Sequence, residues 1–127
     1  MDKVILTYLV ASASNAADLL TSLYAFSHGF IETNAFMPLV RNSYIAALLG
    51  VLTFQALITA FLLIYLIRRA KYLAITVVVI LMMYTAMKLV VSLYNAFLVL
   101  DHPAAIVLYN TVIKLVFAPS SVIQAYI

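Results

Sequence analysis

Long runs of apolar residues, separated by short polar segments, are the main pattern along this chain of 127 residues. A bilayer core about 30 Å thick requires roughly 20 helical residues, and the runs are of that order. The apolar positions are continuous rather than alternating, which does not fit the strands of a membrane β-barrel. We therefore predict one all-α transmembrane domain over residues 1–127, a four-helix bundle with helices over about residues 4–28, 43–67, 72–100 and 103–118.

Composition and charge place this bundle in a membrane. Hydrophobic residues make up 68% of the chain and charged residues only 9%, whereas soluble domains are about 25% charged. The loop with Arg68, Arg69 and Lys71 is the most basic, so the distribution of Lys and Arg predicts a multi-pass protein of the cell membrane with this loop and both termini in the cytoplasm. The chain has no cysteine, which excludes disulfides and thiolate metal sites.

Polar residues interrupt the predicted helices. A charged side chain at the centre of a membrane helix costs about 2.5–3.5 kcal/mol on insertion scales, so such groups are expected to face the bundle and to pair. Asp18 has two candidate partners, Lys88 and Lys114, and the spacing alone does not choose between them. The predicted intramembrane polar network consists of Asn15, Asp18, Gln55, Lys88, Asn95, Asn110 and Lys114.

Three roles are open for this network. Interhelical hydrogen bonds of about 0.6 kcal/mol each hold many membrane bundles together, which is the structural interpretation. The same residues could instead line a path for ions, protons or a substrate. They could also meet the helices of a partner subunit.

A second polar group is predicted at the outer rim. His28 and Glu32 are four residues apart and share a face if the first helix continues past Gly29, and Asp101 and His102 lie in the third loop on the same side. Imidazoles and carboxylates together suit zinc, iron or copper, so these four residues are candidate metal ligands. The alternative is that Glu32 pairs with Arg41 or caps the backbone. We expect this rim, in a loop that is partly re-entrant, to be more exposed than the membrane network.

The residues Asn15-x-x-Asp18-x-x-Thr21 and Gly29-x-x-Glu32-x-Asn34 form a short motif in the first third of the chain. This motif resembles the start of the DUF5658-type family of small prokaryotic polytopic membrane proteins. The family has an Asn-Pro pair where this chain has Asn34 followed by Ala35. The resemblance implies a polytopic helical fold and motif roles for Asp18, Thr21, Glu32 and Asn34, and it implies no activity.

Two functions are consistent with these observations. The first is a non-catalytic, accessory subunit of a larger membrane complex, for example a respiratory or monooxygenase-type assembly, since no catalytic motif is visible and the buried lysines outnumber Asp18. The second is a small oligomeric transporter or an ion- or proton-conducting protein, with Asp18 titrating beside Lys88. The expected partners are the lipid bilayer and other membrane subunits or further copies of the chain. No nucleic acid and no cofactor is expected.

Overall fold

The fold is described from a computed structural model that covers residues 2–32, 34–101, 103–113 and 124–125. Helices account for most of these residues: α1 Lys3–Phe26, the short α2 Met37–Val40, α3 Ser43–Arg68, α4 Lys71–Val99 and α5 Ala104–Leu108, which runs into a π-helical turn at Tyr109–Ile113. Two strands of two residues, β1 Phe30–Ile31 and β2 Gln124–Ala125, pair antiparallel. Within these ranges, α1, α3 and α4 are long and apolar enough to cross a membrane, which fits a multi-pass membrane protein.

Local signals in the sequence define the ends of the long helices. The side chain of Asp2 accepts a hydrogen bond from the Val4 N–H at 2.8 Å, and that of Asn42 accepts one from the Ile45 N–H at 3.1 Å. These N-caps satisfy backbone donors that a helix leaves unpaired in its first turn. Arg69 ends α3 in the left-handed conformation at a φ of 53°. The predicted boundaries of the first three helices lie within two residues of those observed.

Helix α1 lies at the centre of the bundle, packing mainly on α4 and next on α3, while α3 and α4 contact each other less. Near the Asp2 end, the core is apolar and consists of Val4, Ala11, Ile58, Tyr65, Val77 and Leu81. A second apolar cluster, with Ala25, Phe26 and Ala47 at its centre, lies towards the other end. Asn15 and Asp18 on α1, Gln55 on α3 and Lys88 on α4 lie between these two clusters.

The connection between α1 and α3 folds back against the helices. Helix α1 ends at Phe26, and Gly29 reverses the chain at a φ of 90°, a conformation that suits glycine because it has no Cβ. The backbone N–H of Glu32 then donates to the Ser43 hydroxyl at 3.1 Å. Glu32 is only 6% exposed, so the expectation of an exposed rim is wrong at this residue.

The structure describes the predicted fourth helix only in part. Residues 103–113 form only α5 and the π-helical turn, and residues 114–118 lie outside the described part of the chain. β2 pairs with β1, just after the end of α1, whereas Asp2 lies at the opposite end of the bundle. A fourth span over residues 103–118 and the side of the membrane on which each terminus lies therefore stay predictions.

Candidate functional site

An ion pair between α1 and α4 is the centre of the candidate site. The Lys88 ammonium lies 2.6 Å from Asp18 Oδ2, and the two side chains are 15% and 14% exposed. Lys88 Nζ also lies 4.4 Å from the centroid of the Phe54 ring on α3, a cation–π contact that joins the third helix to the pair. The structure thus selects Lys88 as the partner of Asp18. Lys114, the other candidate, lies outside the described residues.

The ion pair does not lie at the middle of the helices. Asp18 precedes the end of α1 by eight residues, and Lys88 precedes the end of α4 by eleven. At 1.5 Å per residue, the two positions lie about 12 Å and about 16 Å from the end of the bundle at which β1 is found. The site is therefore closer to that end than to the end with Asp2.

A cavity of about 170 Å³ adjoins the ion pair. It brings together residues from α1, the α1–α3 connection, α3 and α4, and its lining consists of Asp18, Ser22, Glu32, Asn34, Ala47, Gly50, Val51, Lys88 and Val91. Three of the four motif residues, Asp18, Glu32 and Asn34, thus line one cavity. The fourth, Thr21, bonds to the α1 backbone at Ala17 and Asp18.

Asn34 attaches the connection to α3. Its Nδ2 donates to the Ala46 carbonyl at 2.8 Å, and its Oδ1 accepts the Phe36 N–H at 3.0 Å. Gly50 makes this approach possible, because a Cβ at that position would lie 2.9 Å from Asn34 Nδ2. These contacts hold the segment that carries Glu32 against the cavity.

Gln55 belongs to a second polar cluster, one to two turns nearer the Asp2 end of α1. Its Nε2 donates to the Tyr8 hydroxyl at 3.0 Å and to the Ser12 hydroxyl at 2.9 Å, and its Oε1 accepts from Asn15 at 3.3 Å. Asn15 also donates to the Val51 carbonyl at 3.0 Å. Gln55 and Asn15 are therefore joined to each other, but their hydrogen bonds tie α1 to α3 and do not involve the ion pair.

Asn95 forms a third polar contact, between α4 and α1. Its Nδ2 donates to the Thr21 and Ser22 hydroxyls at 3.2 and 3.3 Å. The Oδ1 atoms of Asn95 and Asn15 are buried, and neither has a hydrogen-bond partner among the described residues. Asn110, expected in the same network, is exposed in the π-helical turn, and its side chain makes no hydrogen bond to the described residues.

The structure separates the candidate metal ligands that it describes. His28 is exposed and its Nδ1 lies 2.9 Å from the Tyr24 carbonyl, whereas Glu32 is buried, because α1 ends before it could bring them to one face. Asp101 is exposed, and His102 lies outside the described residues. Over the ranges that the structure covers, no three His, Asp or Glu side chains group as metal ligands, and the alternative ion pair of Glu32 with Arg41 is likewise not formed.

Sequence reasoning missed two contributors to the site, Phe54 and Gly50. A phenylalanine in an apolar helix carries no signal that its ring will face an ammonium group. Gly50 did carry a signal, since it is one of only two glycines in the chain and lies inside a helical run. An isolated helical glycine commonly marks a close approach of another segment.

No protein-family model, no curated protein and no solved structure matches this chain. The resemblance to the DUF5658-type family stays a prediction that rests on the motif residues. The arguments that follow rest on the geometry of the site alone.

Proposed function

We propose that the protein is a small membrane transport protein that moves an ion or a proton and uses the Asp18–Lys88 pair as its binding centre. The observation that carries the proposal is the cavity of about 170 Å³ that this partly buried pair shares with Glu32. Ionisable groups within membrane helices are costly and commonly mark ion or proton pathways. A pair that only anchors two helices does not require a cavity beside it.

The proposed transport requires either helix movement or several copies of the chain. Towards the Asp2 end, the tightly packed side chains of Ile58, Leu81 and Val77 separate the cavity from the other face of the bundle. The Gln55 cluster lies between the ion pair and these residues. We therefore propose an oligomer in which the cavity of each chain is one binding site along the transport pathway.

Flux through liposomes tests this proposal. The purified chain is reconstituted, a membrane potential is imposed, and proton and sodium fluxes are followed with fluorescent indicators. We expect Asp18→Asn and Lys88→Met to lower the flux at least tenfold. The matched control is Thr76→Ala, an exposed position on α4 whose hydroxyl bonds only to its own helix at Tyr72. Wild-type flux no greater than that of protein-free liposomes, or equal flux in all variants, would contradict the proposal.

The proposed topology has three spans. The basic residues Arg68, Arg69 and Lys71 favour a cytoplasmic α3–α4 loop, which places the N-terminus in the cytoplasm as well. The fourth span over 103–118 and a cytoplasmic C-terminus stay predictions from the sequence. The pairing of β2 with β1 supports instead a chain whose residues 124–125 lie on the outer side.

A second candidate function is the accessory subunit of a larger membrane complex, and the outer surface of α3 favours it. Of the 26 residues of this helix, those that the chain itself buries are Ala46, Ala47, Ile58 and Tyr65. The remaining apolar face is available to lipid or to another subunit. One argument for this function is weakened, because Lys88 finds its anion within the chain. Purification in mild detergent tests it, since a stoichiometric foreign subunit would support it and a pure homo-oligomer would oppose it.

A further inference from the structure

We propose that a groove between α1 and α4, at the Asp2 end of the bundle, binds an anionic phospholipid of the surrounding bilayer. The lipid phosphate lies between Lys3 and Lys71, and one acyl chain follows the apolar floor of the groove. This inference goes beyond the proposed function and does not depend on it, because the groove and the ion-pair cavity have no lining residue in common.

The groove has the amphipathic form of a lipid. Its volume is about 460 Å³, within the roughly 300–1,000 Å³ of pockets that hold small molecules. Charged and polar groups lie at its mouth, where α1 and α4 begin, and the deeper part extends along α4 to Val79, about 12 Å of helix beyond Lys71. The apolar floor consists of Val4, Ala74, Ile75, Val78 and Val79.

This apolar floor faces outwards. Ile75 and Val79 are 57% and 50% exposed, and both lie on a helix that is long and apolar enough to cross a membrane. Lipid tails are as apolar as such side chains. An acyl chain is also flexible enough to follow a groove between two helices, and it needs no hydrogen-bond partner, which suits a floor without polar side chains.

Charge determines which lipid the groove takes. Within the described part of the chain, this end carries four of the seven basic residues of the sequence and one carboxylate, Asp2. That carboxylate is engaged already, because it accepts the Tyr65 hydroxyl at 2.8 Å and lies 3.9 Å from the Arg69 guanidinium. No ion pair involves Lys3 or Lys71 among the described residues. The surplus positive charge favours an anionic headgroup over a zwitterionic one.

The two lysines lie at the mouth of the groove. Lys3 begins α1 and is part of the lining. Lys71 begins α4, and spacings of four and seven residues place it on the same helical face as Ile75 and Val78. Long lysine side chains can cover apolar surface with their stems and reach a phosphate with their ammonium groups. The proposed topology places this end at the cytoplasmic leaflet, where anionic lipids attract basic segments.

Thermal unfolding of the purified full chain in a mild non-ionic detergent tests the proposal. Phosphatidylglycerol is added to the micelles at constant ionic strength and pH, with phosphatidylcholine as the zwitterionic comparison, and Tm is recorded. A ligand that binds only the folded state raises Tm with its concentration. We expect a saturable rise with phosphatidylglycerol and no saturable rise with phosphatidylcholine.

Two variants test the headgroup and the acyl chain separately. The double change of Lys3→Gln and Lys71→Gln removes two exposed positive charges, whereas Ala74→Leu fills the groove without changing any charge. For each variant we expect the half-maximal rise to need at least about tenfold more phosphatidylglycerol. Arg41→Asn is the charge control, at the opposite end and at a φ of 52° that asparagine tolerates. Thr76→Leu is the bulk control, at an exposed position of α4 outside the groove lining, and both controls should match wild type.

Several results would overturn the proposal. Equal rises with the two lipids, or an unchanged response in the lysine variant, would show that the headgroup charge is not recognised. A response lowered in the lysine variant but unchanged in Ala74→Leu would indicate diffuse attraction to a charged micelle. A rise of the same size with soluble glycerol 3-phosphate would indicate a phosphate site without a lipid. A Tm that depends on protein concentration and not on lipid would indicate a second copy of the chain in the groove.

Two further points keep the test decisive. Should Ala74→Leu not fold, Val79→Phe at the exposed end of the groove serves, with the same loss of response expected, and an unchanged response would overturn the proposal. A response to phosphatidylglycerol without any ion flux through liposomes would refute transport and leave the lipid site standing.

Discussion

Removal of Lys88 is predicted to be more damaging than removal of Asp18. Breaking a buried ion pair costs about 3–5 kcal/mol when one charge is left without a partner. Both side chains keep some exposure, 15% and 14%, so we expect about 3 kcal/mol for Lys88→Met. That change leaves Asp18 beside Glu32, another carboxylate of the same cavity.

Asp18→Asn is less severe because Lys88 keeps a second contact. Its ammonium lies 4.4 Å from the Phe54 ring centroid, and a desolvated cation–π contact contributes up to about 2 kcal/mol. The loss expected for Asp18→Asn is therefore about 2 kcal/mol. The double variant leaves neither Asp18 nor Lys88 as an unpaired charge, so its loss of unfolding free energy is also expected to be about 2 kcal/mol. Since the two single losses are about 3 and about 2 kcal/mol, the expected coupling energy is about 3 kcal/mol.

Reversible unfolding of the four proteins in mixed micelles of mild detergent and SDS measures these free energies. The more exposed and more distant pair Asp2–Arg69, with an N–O distance of 3.9 Å, provides the control cycle, in which we expect no measurable coupling. Losses at positions 18 and 88 that add within about 0.5 kcal/mol would refute the reasoning, as would a smaller loss for Lys88→Met than for Asp18→Asn.

Three further predictions concern Gly50, the ionisation of Asp2 and the location of the C-terminus. Gly50→Ala should destabilise the protein by about 1–2 kcal/mol, because a Cβ at position 50 would lie 2.9 Å from Asn34 Nδ2. A Gly→Ala change inside a helix normally stabilises by about 1 kcal/mol. Greater stability of the variant in the same unfolding assay would therefore contradict the prediction. The hydrogen bond from the Tyr65 hydroxyl holds the pKa of Asp2 below its usual value, so the ionised Asp2 carboxylate stabilises the fold above about pH 4, and this stabilisation is lost as the pH falls further. Tm should therefore drop more between pH 5 and pH 3 in wild type than in Tyr65→Phe. Equal drops in the two proteins would contradict this prediction. A cysteine added after Ile127 should react with an impermeant maleimide from the outside of intact cells if the chain has three spans, and labelling only after lysis would support the four-span prediction instead.

The three helices that are long and apolar enough to cross a membrane could be predicted from the sequence, because their signal is local and repeated many times. Runs of apolar residues set the spans, and Asp2 and Asn42 mark where two of them begin. The pairing of Asp18 with a lysine followed from the cost of an isolated charge in a membrane. The sequence could not choose Lys88 over Lys114 as the partner, since that choice depends on the rotation of α4 against α1.

The position of Glu32 shows what the sequence could not provide. Its spacing from His28 indicated a shared helical face, but that argument required a helix across Gly29. The positive φ of this glycine turns the chain back, and the carboxylate enters the cavity instead of the surface. Similarly, Gln55 was expected in one polar network with Asp18, and the offsets between the helices place it with Tyr8 and Ser12 instead. Offsets between helices depend on the packing of the whole bundle, which no short motif encodes.

The off-centre position of the ion pair has an electrical consequence. Asp18 lies about 12 Å from the β1 end of a helix about 36 Å long, so a unit charge that enters from that end crosses roughly one third of the membrane's electric field. A complete crossing is worth about 2.3 kcal/mol per 100 mV, and this partial one about 0.8 kcal/mol. If an ion or a proton of unit charge binds there, as the proposed function requires, its occupancy would change about fourfold for each 100 mV of membrane potential.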